Sequence, residues 1–171
     1  MSQMKSVMIM LTLLPGLLLL SFTAQAMSIP EAVQAYGEAW ASRDADRIVA
    51  LHTEDSTFTL HVAGQEPAVG KAQIRAQFQN ILESTPDYGS QPYQMDFGHN
   101  FVVIMYKVQS GPSHPAVLGA RTFTPEGSSD YTIDAIDLIV FEDGLVSAKH
   151  TFIDVETIRD HSEVATTTPQ P

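Results

Sequence analysis

The sequence predicts an α+β fold in which three helices precede a mainly antiparallel sheet. Apolar residues recur at helical spacing between Ser28 and Thr85, with one short strand between the second and third helical blocks. From Tyr93 onward they fall in runs with period two, bounded by Gly, Pro, Ser and Asn clusters. The last two runs flank Glu142-Asp143-Gly144, a hairpin turn signal. Helices first and strands after is the layout of an α+β domain.

Ser28-Ile29-Pro30-Glu31 combines an N-cap serine, an early proline and a glutamate three residues on, which starts a helix. Ala32, Val33, Tyr36, Ala39 and Trp40 then follow helical spacing. Ser42-Arg43-Asp44 interrupts it, and Asp44 is placed to cap a second helix carrying Ile48, Val49, Leu51 and His52. Thr53-Glu54-Asp55 ends that helix, and residues 56–62 alternate as a strand with Phe58 and Leu60 on one face. After a turn at Ala63 to Pro67, Gly70-Lys71 opens a third helix with Ile74, Phe78, Ile81 and Leu82, stopping near Thr85-Pro86. Strands are predicted over 93–97, 101–108, 117–123, 131–141 and 145–153.

Residues 1–26 read as a cleavable export leader. Lys5 supplies the positive start, Val7 to Leu20 the apolar stretch, and Ala24-Gln25-Ala26 a small-x-small cleavage site. The apolar stretch is short of the roughly 20 residues that span a bilayer. The reading gives a leader at 1–26, one domain at 27–160 and a disordered tail at 161–171, exported to a periplasm or secreted, with no membrane association after cleavage. The chain has no cysteine, so disulfides and thiolate metal sites are excluded. Its net charge is −11, and loss of Lys5 makes the mature chain more acidic still. Nucleic acid is therefore not an expected partner, because phosphate binding needs a basic face.

Asp137 is the residue most out of place. It lies in Thr132-Ile133-Asp134-Ala135-Ile136-Asp137-Leu138-Ile139-Val140-Phe141, where Ala135, Asp137, Ile139 and Phe141 share one face. A carboxylate among such neighbours costs several kcal/mol unless it is paired, hydrogen-bonded or protonated. It marks either a site or a buried structural hydrogen bond.

The order of blocks resembles the nuclear-transport-factor-two-like superfamily, in its SnoaL-like and ketosteroid-isomerase-like branches. The resemblance rests on Tyr36-Gly37-Glu38-Ala39-Trp40-Ala41-Ser42-Arg43-Asp44, on Ile48 to Phe58, on Gly70-Lys71-Ala72-Gln73-Ile74, and on Ile136 through Val146 to Asp154. It implies a cone-shaped α+β barrel, with three N-terminal helices packed in a strongly curved, mainly antiparallel sheet. It further implies an apolar pocket for a small molecule and a homodimer through the outer sheet face.

In ketosteroid isomerases a first-helix Tyr and a protonated late-strand Asp form an oxyanion hole; the resemblance places Tyr36 and Asp137 there. The isomerase's proton-shuttling Asp falls near Leu60 or His61, so His61 is the substitute base candidate, unless it faces solvent. Asp154 stands where SnoaL-like cyclases and limonene-epoxide-hydrolase-like proteins keep a basic Asp, or else it caps a terminal helical turn. The Arg-x-Asp of the hydrolases is missing, since Arg121 is followed by Thr122-Phe123, and epoxide hydrolysis is disfavoured. Tyr36 is equally a core residue by its helical stripe. His99, His114 and His150 come from unrelated segments, so no metal and no cofactor is expected. The functional expectation is a cofactor-independent isomerase, cyclase or dehydratase working by proton transfer on a small apolar molecule, with a non-catalytic binding or interaction module as the alternative.

Overall fold

The computed structural model describes residues 27–166. Residues 1–26, read from the sequence as a leader, and residues 167–171 lie outside them. Helix α1 (Ile29–Ala41) begins as its sequence dictates: the Glu31 carboxylate accepts from both the Ser28 backbone N–H and its hydroxyl, at 2.9 and 2.6 Å. Asp44 caps α2 (Ala45–Ala50) by accepting from the Asp46 and Arg47 backbone N–H groups. The chain then runs through β1 (His52–Leu60), β2 (Ala68–Val69), α3 (Lys71–Ser84), β3 (Ser90–Phe97) and β4 (Phe101–Val108). It ends with β5 (Ala116–Leu118), β6 (Arg121–Pro125), β7 (Ile133–Glu142), β8 (Leu145–Ile153), α4 (Val155–Arg159) and β9 (Ser162–Thr166).

Six strands form one sheet in the order β2-β1-β8-β7-β4-β3. All its pairings are antiparallel except β1 with β8. A three-stranded sheet, β5-β6-β9, stands beside it. The α+β class and the mainly antiparallel sheet are as the sequence predicts. Ala32, Tyr36 and Ala39 of α1 and Ile74, Phe78 and Leu82 of α3 are buried at three- and four-residue spacing. Phe78 packs edge-on against Trp40 and Phe58, with ring centroids 4.9 and 5.0 Å away. Each such fully buried phenylalanine contributes about 1.5–3 kcal/mol of transfer free energy.

The structure departs from the sequence reading in several places, the added strand β2 and the earlier start of β3 among them. His52 opens β1 rather than closing α2, because Leu51 and His52 turn the chain straight into the sheet. The strand predicted over 117–123 is a hairpin, β5–β6, broken at Gly119. That glycine has φ +62°, and a Cβ on it would fall 2.1 Å from the Ala63 carbonyl oxygen. The tail predicted from 161 onward is ordered over Ser162–Thr166, where β9 pairs with β6 from Thr166 opposite Arg121 to Ser162 opposite Pro125. Backbone pairing holds this polar segment, whose residues after Ser162 are exposed and which composition alone reads as frayed.

Candidate functional site

The site is built on the β7–β8 hairpin. Its turn pairs Glu142 with Leu145, and an unbroken ladder would continue to Asp137 opposite His150. Instead a bulge at Ser147 inserts one residue between the Val140–Ala148 and Phe141–Val146 pairs. Beyond it Asp137 lies opposite Thr151 and Ile139 opposite Lys149. Val146 before the bulge and Lys149 and Thr151 after it therefore all face the interior, whereas Phe152 faces out.

This register gives Asp137 its partners. Lys149 Nζ donates to Asp137 Oδ2 in a close ion pair, and Thr151 Oγ1 donates to Asp137 Oδ1 at 2.6 Å. Asp137 is 6% exposed and Lys149 4%, so water screens the pair little. The ammonium also lies 5.7 Å from the Trp40 ring centroid and 5.9 Å from that of Tyr36, within cation–π range. Both Asp137 oxygens are acceptors here. Asp137 therefore stands as a paired carboxylate and not as the neutral hydrogen-bond donor that an isomerase-type oxyanion hole would use.

Two small cavities flank the pair. A chamber of about 100 Å³ is lined by Lys149 and Thr151 at one end and otherwise mostly by apolar side chains, among them Phe58, Leu60, Ile133 and Ile153. A second cavity of similar size, between α1 and β3–β4, is lined by Tyr36 and Asp137 together with Ile104 and Met95. Trp40, Tyr88 and Tyr106 border both. Burial raises the Tyr106 hydroxyl well above the usual phenol range, and the Asp137 charge adds to it; burial does the same to Tyr88. These phenols stay protonated. The Trp40 indole Nε1 is buried without a hydrogen-bond partner among the described residues, which costs free energy until something accepts from it.

The structure thus brings Tyr36 and Asp137 to one cavity but engages their polar atoms elsewhere. Tyr36 Oη is 3.0 Å from His52 Nε2, and His52 Nδ1 is 3.2 Å from Ser56 Oγ. His52 is fully buried and packs edge-on against Phe78, and burial, with Lys149 and Lys71 nearby, lowers its pKa to about 3. It is a neutral imidazole tying α1 to β1. Burial likewise holds the Tyr36 hydroxyl well above its ordinary range.

The two base candidates lie away from the chamber. His61 is exposed, stacks on Phe152 at 4.1 Å, and sits 3.2 Å from His150 Nδ1. Asp154 is exposed and caps α4, accepting from the Glu156 and Thr157 backbone N–H groups and from the Thr157 hydroxyl. That hydroxyl and those N–H groups hold its carboxyl below the usual range. Among the described residues no three His, Cys, Asp or Glu side chains converge to hold a metal ion.

Lys149 is the residue the sequence reading missed, along with His52. Strict alternation along β8 hides it, grouping Lys149 with Ser147 and Thr151 on the more polar face. Without the bulge the pairing points to His150 instead.

Residues 33–149 match the family model of the SnoaL-like domain. No curated protein matches the sequence. Similar solved structures include a candidate SnoaL-like polyketide cyclase from Jannaschia sp. CCS1 (TM-score 0.62, 18% identity, 85% of this chain and 99% of that one). A ketosteroid isomerase-like protein from Catenulispora acidiphila, crystallised with trimethylamine, aligns with TM-score 0.62 and 13% identity over 79% of this chain and 94% of that one. TerC, co-crystallised with polyporic acid, aligns with TM-score 0.59 and 14% identity over 77% and 95%. At these identities the structural likeness speaks for the fold alone, but the family model spans most of the domain, and the chain belongs to the SnoaL-like domain family, with the nuclear-transport-factor-two-like, ketosteroid isomerase-like fold.

Proposed function

We propose that the protein binds a small, largely apolar molecule in the chamber beside Lys149, with the ammonium donating to an oxygen of that molecule. The observation that carries the reading is a buried cation lining a chamber that is otherwise mostly apolar. A lysine costs several kcal/mol to bury, and among the described residues its ammonium donates to Asp137, which Thr151 in turn supports. Thr151 and the Trp40 indole offer further polar contacts at that end. The volume suits a single six-membered ring, being somewhat smaller than the roughly 150 Å³ cavity that accepts benzene in an engineered protein. Neighbouring structures crystallised with trimethylamine and polyporic acid support a small-molecule role for the fold.

The test compares phenol with toluene, similar in size but with a hydroxyl in place of a methyl group, by calorimetry on residues 27–171. Phenol is expected to bind about tenfold tighter, as a hydrogen bond to a charged donor is worth about 1.5 kcal/mol or more. Equal affinities, or no binding of either, would refute the reading.

A second reading, cofactor-independent isomerisation, cyclisation or dehydration, is favoured by Asp137 bordering the adjoining cavity, because it sets a carboxylate base directly behind a cation that polarises a carbonyl. Its test is deuterium exchange α to the carbonyl of cyclohexanone in heavy water. Exchange no faster than in buffer leaves binding without chemistry. Export is supported by the leader-like residues 1–26, and cell fractionation checks it. Pairing of two copies is supported by Phe101, Ile136 and Phe152, which expose apolar surface on the outer sheet face; light scattering decides it.

A further inference from the structure

A larger groove opens next to the chamber and the binding reading does not use it. It lies between α3 and β5 and has a volume of about 640 Å³. Leu60, Ile81, Ser84, Ala116 and Leu118 line both the groove and the chamber. These five side chains border both spaces, so the groove adjoins the chamber.

The groove differs from the chamber in chemistry. Gln77, Asn80 and Ser84 lie three and four residues apart on α3 and present polar groups along one helix face. The amides of Gln73 and Gln79 elsewhere on α3 are engaged: Gln73 Oε1 accepts from the Val69 N–H, and Gln79 donates to Glu83. Gln77 and Asn80 hold no side-chain hydrogen bond among the described residues. Each carries a donor and an acceptor side by side, the pattern that matches neighbouring hydroxyl groups, which also both donate and accept. Opposite them, Pro115 and Val117 offer an apolar edge, Val117 being 63% exposed. Among the described residues no lysine or arginine lines the groove, and Glu83 does, so an anionic appendage such as a phosphate meets repulsion there.

We infer that the ligand has two parts: a compact ring carrying an oxygen, held in the chamber at Lys149, and a neutral hydroxyl-bearing group of the sugar type, held in the groove by Gln77 and Asn80. The inference rests on the chamber reading above and adds the class of its outer half. Two amide contacts, each worth roughly 0.5–1 kcal/mol net, predict about a tenfold gain in affinity.

The experiment measures phenol and 4-hydroxyphenyl β-D-glucoside by calorimetry on residues 27–171. The wild type is expected to bind the glucoside about tenfold tighter than phenol. In the Gln77→Ala/Asn80→Ala variant the ratio of the two affinities is expected to fall to about one; both positions are partly or fully exposed on a helix that alanine favours. A 4-hydroxyphenyl phosphate ester is expected to bind no tighter than phenol. If phenol binds and the glucoside does not bind more tightly, or the variant keeps the wild-type ratio, the inference fails while the chamber reading stands. If phenol binds no better than toluene, the chamber reading fails and the inference with it.

Discussion

Replacing Lys149 by methionine should destabilise the domain far more than replacing both partners of its ion pair. The side chains of Lys149 and Asp137 are 5% and 9% exposed, so neither charge can return to water without local unfolding. Lys149→Met leaves the Asp137 carboxylate buried with only neutral partners, the Thr151 hydroxyl at 2.6 Å and the Tyr106 hydroxyl. Stranding one member of a buried pair costs about 3–5 kcal/mol, whereas exchanging the whole pair for apolar groups of similar volume is often neutral or stabilising. The single variant should thus lose a large part of a typical 5–15 kcal/mol stability, with a melting temperature lower by about 10–20 °C. Asp137→Leu should behave similarly, since it strands the ammonium. The double variant Asp137→Leu/Lys149→Met should recover to within about 2 kcal/mol of wild type, its cost being the lost Thr151 contact. Urea unfolding followed by circular dichroism measures all four proteins in one double-mutant cycle. Additive losses, giving a double variant as unstable as the sum of the singles, would refute the claim that the pair forms one buried electrostatic unit.

Stability should also fall as the solution is acidified from about pH 6.5. His52 binds a proton only near pH 3 when folded but near 6.5 when unfolded, so the unfolded chain holds the extra proton in between. The stabilisation is complete above 6.5 and is lost towards pH 3, with a limiting slope of about 1.4 kcal/mol per pH unit. Urea midpoints between pH 6.5 and 5 should track this loss, and His52→Gln should flatten it; a variant with the wild-type slope would show that other groups are responsible. Asp154→Ala should cost about 1 kcal/mol, the worth of a helix cap, and leave phenol affinity unchanged. His61→Ala should likewise leave it unchanged. A phenol affinity that drops in either variant would place that residue at the binding site after all.

The helices were legible because their determinants are local. Ser28 with Glu31, Asp44, and the apolar stripes through Ala32–Tyr36–Ala39 and Ile74–Phe78–Leu82 specify start, face and spacing within a few residues. The β7 strand was legible for a similar reason: alternation put Ala135, Asp137, Ile139 and Phe141 on one face, and all four are buried. The fragments β5, β6 and β9 were not, because what fixes them lies far along the chain. Gly119 folds back against Ala63, and β9 exists by pairing with β6.

By itself, then, the sequence determined the α+β class, the family, and the presence of an acid, Asp137, on an apolar face that must be compensated. The tertiary structure decided what compensates it. A ladder drawn straight from the Asp143-Gly144 turn sets His150 against Asp137 and leaves Lys149 among the outward residues. The bulge at Ser147 advances the strand by one residue, and with a side-chain period of two that single step exchanges the faces. Lys149 and Thr151 go in, Phe152 goes out beside His61, and the acid acquires a cation instead of a histidine. Alternation local to β8 favours the first outcome, since Val146, Ala148, His150 and Phe152 make the more apolar face and Leu145, Ser147, Lys149, Thr151 and Ile153 the more polar one. The choice is made by burial against α1 and by the partner waiting on β7.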